Sequence, residues 1–536
     1  MKSIKAYRFL SLVLAFVFSI GAIGNSIKPI TVNAETAGDK IVRVGLYTAV
    51  SVLDTRRFSS NFVSENGFEI GFTDGESFQK LFAIDNNSII ILPQTNASIE
   101  RDHCIRDNNG SIGSFSAVLG SHSSFESAHA QGGFVAVTNG GFESRKYAST
   151  TAEKVVALSG GRPVSSPASG GFTVIDANDG KIIFTFENTN QKFAVRAKNG
   201  GTVKVPITHY TGNENRFAYQ GFFEISHSEG LLQIINVLGL EDYTKCVMSN
   251  EIGTNVSVET RKAFSVLART VAIASKHGSR GFDVCNNEGC CQVYFGTYRM
   301  SEENNRIVDS TKGLVCRYNG SPINVLYHNS NGGASCSSVA AWGGSEVPYL
   351  TTVFQEELDG GDKWEKVFSQ VEFYEYLSSR RAFSSLADDD ISMQILEKDP
   401  YGSDYITVLS VSDGSGNVIT VENSEAIRNA CGFVSANFEV SYSVEMEIVT
   451  SDGSVQKRPV GGIMTSEGYK PLESFGDTIR TTAGVEIKAD KVVINGQGVG
   501  HGVGFSATGS EKLAKDGYSY KYILTYFFKG ITVEKV

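Results

Sequence analysis

The chain has 536 residues, of which 41% are hydrophobic and 20% charged, so it can bury extensive cores and is not a disordered protein. At roughly 100–200 residues per domain, this length indicates about three domains. Lys and Arg number 48 against 58 Asp and Glu, a net charge of −10. This balance excludes a general nucleic-acid binder, because neutralising phosphates requires a basic face. Eight cysteines do not make a disulfide mini-scaffold in a chain of this length, yet three of them lie between positions 285 and 291.

The first residues have the pattern of an export signal. Lys2, Lys5 and Arg8 precede the uncharged, mostly apolar run 9–24, and a small-residue cleavage site ends at Ala34. This order predicts a signal peptide over residues 1–34. An uncleaved anchor is the alternative, although the 16-residue apolar run is shorter than the ~20 residues that span a bilayer. We expect the protein in the cell wall, outside the cell, or anchored on the outer side of the cytoplasmic membrane.

Residues 35–205 form short runs of β-branched and aromatic residues separated by Gly, Asn, Asp and Ser, which predicts a β-rich N-terminal region. The predicted strands are 41–50, 67–74, 88–93, 134–139, 171–176 and 181–188. Residues 116–139 follow a strand–helix–strand order that resembles SPOR repeats, which bind peptidoglycan glycan. A generic strand–helix–strand unit is the alternative.

Two helices are predicted after a hairpin over residues 220–237. The first opens at Leu240 and ends near Glu251, and the second follows the N-cap residue Ser257 with apolar residues at helical spacing. Arg269 lies in an otherwise apolar or small run, so its guanidinium requires a carboxylate or carbonyl partner if it is buried. An antiparallel helix pair would bring Arg269 to Glu251. The alternative is a structural ion pair for Arg269 and a surface position for Glu251.

The rest of the chain is predicted to add one more helical patch and several strands. The helical patch covers residues 364–380, within the segment 361–400. The strands are 391–396, 404–413, 417–423, 436–444, 492–496 and 531–535.

The cysteine cluster has the residue types of a metal site. Cys285 and Cys291 lie six residues apart, and His277 precedes Cys285 by eight, which supplies the nitrogen and sulfur ligands that Zn²⁺ takes. A disulfide is an equal alternative in an exported protein. A bond between the adjacent Cys290 and Cys291 would be strained, so Cys290 is either a replacement for Cys291 or a fourth ligand. We expect the remaining cysteines to be buried small hydrophobic residues.

Two glycine-dense loops place histidines where a ligand could approach the backbone closely. They are residues 328–333, with His328, and residues 498–504, with His501. Such loops suit the walls of a groove that holds a sugar polymer, and packed turn histidines are the alternative. The predicted substrate-binding residues in these loops are His328, Ser330, Asn331, Gly332, Gly333 and His501.

The order of these motifs resembles the SpoIID/LytB family of peptidoglycan lytic transglycosylases. The sequences L-E-D-Y at 240–243, S-N-E at 249–251 and A-R-T at 268–270 are followed in order by 281–296, 325–344, 347–350 and 496–530. The resemblance implies that Glu251 is the catalytic glutamate and that Arg269 is required beside it. It also favours zinc over a disulfide at His277, Cys285 and Cys291, as a structural ion. It further implies that Tyr349 and Ser506 are substrate-binding residues.

The resemblance also implies a fold and a function. We expect an α+β, β-rich exported protein whose catalytic core has two short helices packed on antiparallel strands around a glycan-binding groove. The expected segments are the signal 1–34, the wall-binding region 35–205, the first part of the core 206–360, an inserted α+β subdomain 361–480, and residues 481–536, which complete the core. The implied activity is cleavage of the MurNAc–GlcNAc bond in peptide-stripped glycan strands to give 1,6-anhydroMurNAc ends, in sporulation and alongside a cell-wall amidase. The alternative is a non-catalytic wall-binding protein that modifies autolysin or amidase activity, which Ala507 supports because the family has Gln there.

Overall fold

The computed structural model describes residues 40–50, 53–188, 190–208, 214–252, 254–355, 362–449, 454–460, 462–465, 468–471, 478–480, 486–488 and 491–536. They form a β-rich α+β protein, as expected. The predicted signal segment 1–34 lies outside these residues. Among the described helices, none combines the length and apolar character that a membrane span requires.

The chain divides into two compact units. The first unit lies within residues 24–255, 264–315 and 535–536, and the second contains residues 256–263 and 316–534. The segment boundaries predicted at 205, 360 and 480 stay predictions.

The first unit contains most of the strands. They are β1 (Ile41–Tyr47), β2 (Ala49–Val50), β3 (Leu53–Asp54), β4 (Ser60–Val63), β5 (Phe68–Thr73), β6 (Phe78–Ile84), β7 (Ser88–Pro93), β8 (Ala97–Glu100), β9 (His103–Arg106), β10 (Phe115–His122), β11 (Phe134–Thr138), β12 (Gly141–Ser149), β13 (Val164–Ser165), β14 (Phe172–Asp176), β15 (Ile182–Phe186), β16 (Lys192–Ala197), β17 (Val203–Thr208), β18 (Glu214–Tyr219), β19 (Phe222–Ser228), β20 (Leu231–Gly239) and β21 (Val284–Cys285). Its helices are α1 (Phe125–Ala130), α2 (Ala152–Ser159), α3 (Leu240–Glu251), most of α4 (Val258–Ala274) and α5 (Glu302–Asp309).

Two large sheets organise these strands. A seven-stranded sheet has the order β21-β1-β20-β19-β16-β5-β6, so strands from the N-terminal region share a sheet with the hairpin that leads into α3. The predicted hairpin is confirmed: β19 pairs with β20 across Glu229 and Gly230, whose φ angles of 56° and 74° suit a two-residue turn. The second sheet has ten strands, in the order β13-β10-β12-β11-β15-β14-β7-β4-β17-β18.

Phenylalanine side chains from both sheets contact one another in the core of this unit. The contacts have ring-centroid distances of 5.2 Å for Phe62–Phe223, 5.1 Å for Phe172–Phe193 and 5.3 Å for Phe82–Phe184. In each pair, one ring comes from the seven-stranded sheet and the other from the ten-stranded sheet. Alternate residues of a strand point to the same face, so each sheet can direct a set of rings at the other. These rings exclude water between the two sheets.

The predicted strand–helix–strand over residues 116–139 is confirmed and belongs to a larger motif. The chain runs β10-α1-β11-β12-α2-β13, and the strands lie in the order β13-β10-β12-β11. All three neighbouring pairs are antiparallel. This arrangement is the βαββαβ, or split βαβ, motif.

The second unit contains smaller sheets. Its strands are β22 (Leu314–Tyr318), which begins in the first unit, β23 (Ser321–Pro322), β24 (Tyr327–His328), β25 (Lys363–Ser369), β26 (Ser392–Lys398), β27 (Ile406–Ser412), β28 (Val418–Glu422), β29 (Phe438–Val449), β30 (Val455–Val460), β31 (Gly462–Thr465), β32 (Gly468–Pro471), β33 (Thr478–Arg480), β34 (Glu486–Lys488), β35 (Lys491–Gln497), β36 (Phe505–Ser506) and β37 (Thr532–Lys535). Its helices are α6 (Ser338–Trp342), α7 (Gln370–Ser378), α8 (Ser424–Cys431), α9 (Ala507–Lys515) and α10 (Tyr520–Phe527).

The helical patch predicted over residues 364–380 is wrong in its first part. Residues Lys363–Ser369 form β25, which pairs antiparallel with β35, so a partner from far along the chain determines their conformation. The helix α7 begins only at Gln370, where Ser369 and Glu372 form a capping box.

Candidate functional site

Helices α3 and α4 form where the sequence predicts them, and Glu251 is the last residue of α3. Glu241 in the first turn of α3 lies where the helix dipole favours a carboxylate. The Glu251 side chain is half-buried, and its Oε1 accepts a hydrogen bond of 2.7 Å from the Val293 backbone N–H. This bond fixes the Glu251 carboxylate against the segment that follows the cysteine cluster.

Arg269 is fully buried on α4 and forms a two-point ion pair with Glu241. Its Nε donates to Oε1 of Glu241 at 3.0 Å, and its Nη2 donates to Oε2 at 2.8 Å. Nη1 donates to the carbonyl of Leu314 at 2.9 Å, and the Gly313 N–H donates to the same Glu241 at 3.1 Å. The guanidinium therefore has the partners that its burial requires.

The expected pairing of Arg269 with Glu251 is wrong. The two residues belong to adjacent helices, but the partner of Arg269 is Glu241, at the opposite end of α3 from Glu251. The structure therefore supports the alternative of a structural ion pair for Arg269. Both carboxylate oxygens of Glu241 accept hydrogen bonds from Arg269 in this pair.

Glu288 is a further carboxylate near Glu251, outside the predicted site residues. Burial raises the pKa of Glu288 to about 7, and the charge of Glu251 adds to the effect. Its Oε1 is buried without a hydrogen-bond partner among the described residues. The signal in the sequence was its place inside the cysteine cluster, as the acidic residue between Cys285 and Cys290.

The cysteine cluster brings four potential metal ligands together. The ligand atoms of His277, Cys285, Cys290 and Cys291 all lie within 4.8 Å of one another. The Cys290 Sγ lies 3.3 Å from Nε2 of His277. All eight cysteines are free thiols, so the disulfide alternative has no support in the structure. Three thiols and one imidazole match a tetrahedral Cys₃His zinc site, which favours Cys290 as a fourth ligand over a replacement for Cys291.

The backbone around the cluster is anchored to the seven-stranded sheet. Cys285 lies on β21, which pairs with β1, and the N–H of His277 donates to the carbonyl of Asp283 at 3.0 Å. The N–H groups of Cys290 and Cys291 both donate to the Asn287 carbonyl in a tight turn. Hydrogen bonds from the Cys285 and Cys291 thiols lower the pKa of Cys290, and the hydrogen bonds among the three thiols raise the pKa of Cys285 and Cys291.

The two glycine-dense loops meet in the second unit. His328 is buried on β24, its Nδ1 lies 3.1 Å from the Val503 carbonyl, and its ring centroid lies 5.6 Å from that of His501. Burial lowers the pKa of His328 to about 3, with a contribution from His501, and burial lowers the pKa of His501 to about 4. Both imidazoles are therefore neutral at physiological pH. His328 Nε2 is buried with no hydrogen-bond partner among the described residues.

Ser330, Asn331 and Gly332 connect these loops. Ser330 exchanges backbone hydrogen bonds with Val499, and Asn331 Oδ1 accepts from the Gly333 N–H at 2.9 Å. Gly332 has a φ of 69°, and a Cβ there would lie 2.9 Å from Cγ of Gln497, so the close approach of the loops requires glycine. The side chains of Ser330 and Asn331 are fully buried, so they contact the surrounding protein and not solvent.

The other two predicted substrate-binding residues have structural contacts of their own. Ser506 is the N-cap of α9, and its hydroxyl accepts from the Gly509 N–H at 3.1 Å. Ala507, where the resemblance implies a Gln, is the first residue of that helix. The Tyr349 hydroxyl accepts from the Asn324 N–H at 3.0 Å, and its ring packs 5.3 Å from that of Tyr318.

The predicted residues thus form two groups. Glu251, Arg269 and the cysteine cluster belong to the first unit, and the predicted substrate-binding residues belong to the second. Helices α3 and α4 and the cluster all fall between residues 228 and 318.

The same residues, 228–318, match the model of the SpoIID family, described as a stage II sporulation protein. The amidase enhancer of Bacillus subtilis (strain 168) is 30% identical over 301 residues, which cover 54% of this chain and 40% of that protein. Stage II sporulation protein D of the same organism is 24% identical over 322 residues, which cover 56% of this chain and 76% of that protein. An uncharacterised protein of Brachyspira hyodysenteriae is 24% identical over 368 residues, which cover 67% of this chain and 84% of that protein.

The chain therefore spans less than half of the amidase enhancer but most of the other two relatives. The matched segment holds the helix pair, Glu251 and the four potential metal ligands. Residues 228–318 therefore match the SpoIID family, and more than half of the chain is similar to the two Bacillus subtilis relatives.

Proposed function

We propose that this protein is a lytic transglycosylase that cleaves the MurNAc–GlcNAc bond of peptide-stripped glycan strands. The observation that supports this most is the position of Glu251. It ends α3 inside the segment that matches the family, and a backbone N–H holds one of its oxygens.

In the proposed reaction, protonated Glu251 first donates its proton to the glycosidic oxygen as the bond from C1 to that oxygen breaks. The resulting carboxylate then takes the proton of the MurNAc C6 hydroxyl, and that oxygen attacks C1. The product is a 1,6-anhydro ring, Glu251 is protonated again, and no water is consumed. The Val293 N–H orients the carboxylate and stabilises its ionised form between the two steps. Arg269 is a positioning residue in this scheme, because it fixes α3 through Glu241.

The glycine-dense loops of the second unit are proposed to contact the glycan strand. Neutral His328 and His501 suit hydrogen bonds to sugar hydroxyl and acetamido groups, which carry no charge. Ser330, Asn331 and Ser506 contribute by holding the loops, and the φ > 0 glycines allow backbone donors to approach a ligand.

We further propose a structural zinc ion held by His277, Cys285, Cys290 and Cys291. Four protein ligands leave no open position, which is the arrangement of a structural zinc site and not of a catalytic one. When bound, zinc would crosslink the loop that follows α4. Because Val293 comes two residues after Cys291, these ligands would also fix the N–H that holds Glu251.

The relatives suggest where such an activity would operate. One is named an amidase enhancer and another a stage II sporulation protein. We propose that this protein acts at the cell envelope after export, on strands from which a cell-wall amidase has removed the peptides, in sporulation.

A non-catalytic role is the second candidate. The similarity to an amidase enhancer and Ala507 at the family Gln position favour a wall-binding protein that modifies amidase activity. Mass spectrometry of peptide-stripped glycan incubated with the purified protein separates the two. We expect anhydro ends; a reducing end would indicate a hydrolase, and unchanged glycan would favour the non-catalytic role.

A further inference from the structure

A row of tyrosines marks the surface of the second unit at α10. Tyr522 and Tyr526 lie one turn apart on α10, and Tyr518 comes just before Ser519, the N-cap of that helix. The ring centroids of Tyr518 and Tyr522 are 4.4 Å apart, and those of Tyr522 and Tyr526 are 5.8 Å apart. Tyr518 is 42% exposed and Tyr522 is 43% exposed. The rings therefore contact one another while keeping much of their surface in water.

The row continues onto two other segments of the same unit. The Tyr526 hydroxyl donates to the carbonyl of Phe354, whose side chain is 62% exposed. The Phe354 ring in turn lies close to Gly402, since a Cβ on that glycine would be 3.3 Å from Cζ of Phe354. Tyr401, next to Gly402 in the chain, is 46% exposed. We call these residues the aromatic strip: Phe354, Tyr401, Tyr518, Tyr522 and Tyr526.

The aromatic strip carries positive charge in a chain that is acidic overall. Lys521 and Lys529 are exposed on or directly after α10, and the Lys529 Nζ lies 4.6 Å from the Tyr526 ring centroid. Neither ammonium group forms an ion pair with any residue in the part of the chain that the structure describes. The strip is therefore an aromatic surface with charges that are available to an anionic ligand.

We propose that the aromatic strip binds a polysaccharide chain that carries carboxylate groups. Tyrosine suits such a ligand because the ring packs on the C–H groups of a sugar while the phenol hydroxyl bonds to its polar groups. Stacking already restricts the rotamers of Tyr518 and Tyr522. These side chains therefore lose little conformational entropy when a ligand binds. Lys521 and Lys529 supply the cations that the carboxylates require.

A second copy of this chain is a poorer occupant. A two-fold contact through the strip would place its lysines near the same lysines of the other molecule, and like charges oppose such a pairing. The identity of the polymer as wall glycan, whose MurNAc residues carry carboxylates, rests on the proposed function. Binding by the strip itself does not require cleavage.

The test uses the full-length chain with Glu251→Gln, so that binding is measured without cleavage. Sedimentation with insoluble, peptide-stripped wall glycan gives the dissociation constant. We expect Tyr518→Ser Tyr522→Ser to weaken binding about tenfold, the size of effect that exposed aromatic contacts have at interfaces. Val418→Ser, which changes a more exposed apolar residue of the same unit, is the control and should bind as the parent does.

Two further arms test the chemistry. Lys521→Ala Lys529→Ala should weaken binding to the wall glycan but leave binding to chitin, which has no carboxylates, unchanged. Unchanged glycan binding by the double tyrosine variant, with an unaltered melting temperature, would overturn the proposal. The proposal would also be overturned if the wild-type protein formed a dimer that the tyrosine substitutions dissociate. If the strip binds glycan but the wild-type protein releases no anhydro ends, this inference stands and the proposed transglycosylase does not.

Discussion

Glu241 and Arg269 form a two-point ion pair in the interior of the first unit, with donor–acceptor distances of 3.0 and 2.8 Å. Glu241 lies in the first turn of α3, and Arg269 is fully buried on α4. The pair therefore fixes one end of the helix whose other end carries Glu251. It gives Arg269 a role in the proposed reaction without contact with the substrate.

Removing one partner of this pair should destabilise the protein. Arg269→Met removes the positive charge beside the buried Glu241 carboxylate. Glu241→Gln removes the negative charge beside the buried Arg269 guanidinium. Losses of this kind cost about 3–5 kcal/mol. Urea unfolding of each single variant measures the loss.

The double variant Glu241→Leu Arg269→Met is the control, because it removes both charges. We expect it to regain most of the stability that either single change loses. If Arg269→Met unfolds at the wild-type urea concentration but has no activity, Arg269 acts in the chemistry and the structural assignment is wrong.

The zinc proposal predicts one metal ion per chain. Protein purified under reducing conditions should contain about one zinc, and Cys285→Ser Cys291→Ser should contain none. Chelation should lower the melting temperature, because binding to a structural site contributes to folding free energy. Elemental analysis and thermal unfolding measure both.

Cys290 and Cys246 provide a matched comparison. Cys290→Ser removes the proposed fourth ligand and should weaken zinc binding, while Cys246→Ala changes a buried cysteine outside the cluster and should not. Full zinc affinity in the Cys290→Ser variant would show that Cys290 is not a zinc ligand. Zinc-free wild-type protein would remove the site altogether.

The histidine pair predicts a loss of stability in acid. Burial holds the pKa of His328 at about 3 and that of His501 at about 4, whereas unfolded histidine titrates near ~6.5. Between these values the unfolded state binds more protons, so the stabilisation is complete above about pH 6.5 and decreases as the pH falls. The slope is at most about 1.4 kcal/mol per pH unit for each histidine.

Urea unfolding between pH 4 and pH 8 measures this slope. His501→Asn keeps a polar side chain but removes one titrating group, so its slope between about pH 4 and 6.5 should be smaller than that of the wild type. Equal slopes for the two proteins would show that His501 is not held neutral by its surroundings.

The hydrogen bond from Val293 can be tested through the backbone. Val293→Pro removes the N–H that holds Glu251 and should lower the rate of anhydro-end formation by roughly 10–100-fold, the equivalent of a hydrogen bond to a charged group. Val293→Ala retains the N–H and should keep most of the activity. Equal rates in the two variants would contradict a role for this bond.

Local features of the sequence predicted the helix pair well. The N-cap residue, the first-turn acids and the spacing of apolar residues are properties of short segments, so α3 and α4 lie where these features place them. The cysteine spacing likewise identified His277, Cys285 and Cys291, and the structure brings Cys290 to the same point.

Contacts between distant segments were not predictable in the same way. Arg269 required a carboxylate or carbonyl partner, but Glu241 and Glu251 are both on α3, and only the folded structure, which brings Arg269 to Glu241, selects between them. Residues Lys363–Ser369 were predicted as helix because their partner strand, β35, begins more than a hundred residues later. The proximity of Glu288 to Glu251 also depends on the folded loop.

The most direct test of the central claim is the product analysis of Glu251→Gln on peptide-stripped glycan. Glutamine keeps an oxygen that can accept from Val293 but has no acidic proton to donate to the glycosidic oxygen. Mass spectrometry should find 1,6-anhydroMurNAc ends with the wild-type protein and none above background with Glu251→Gln, at unchanged melting temperature. Wild-type levels of anhydro ends from the variant would contradict the account.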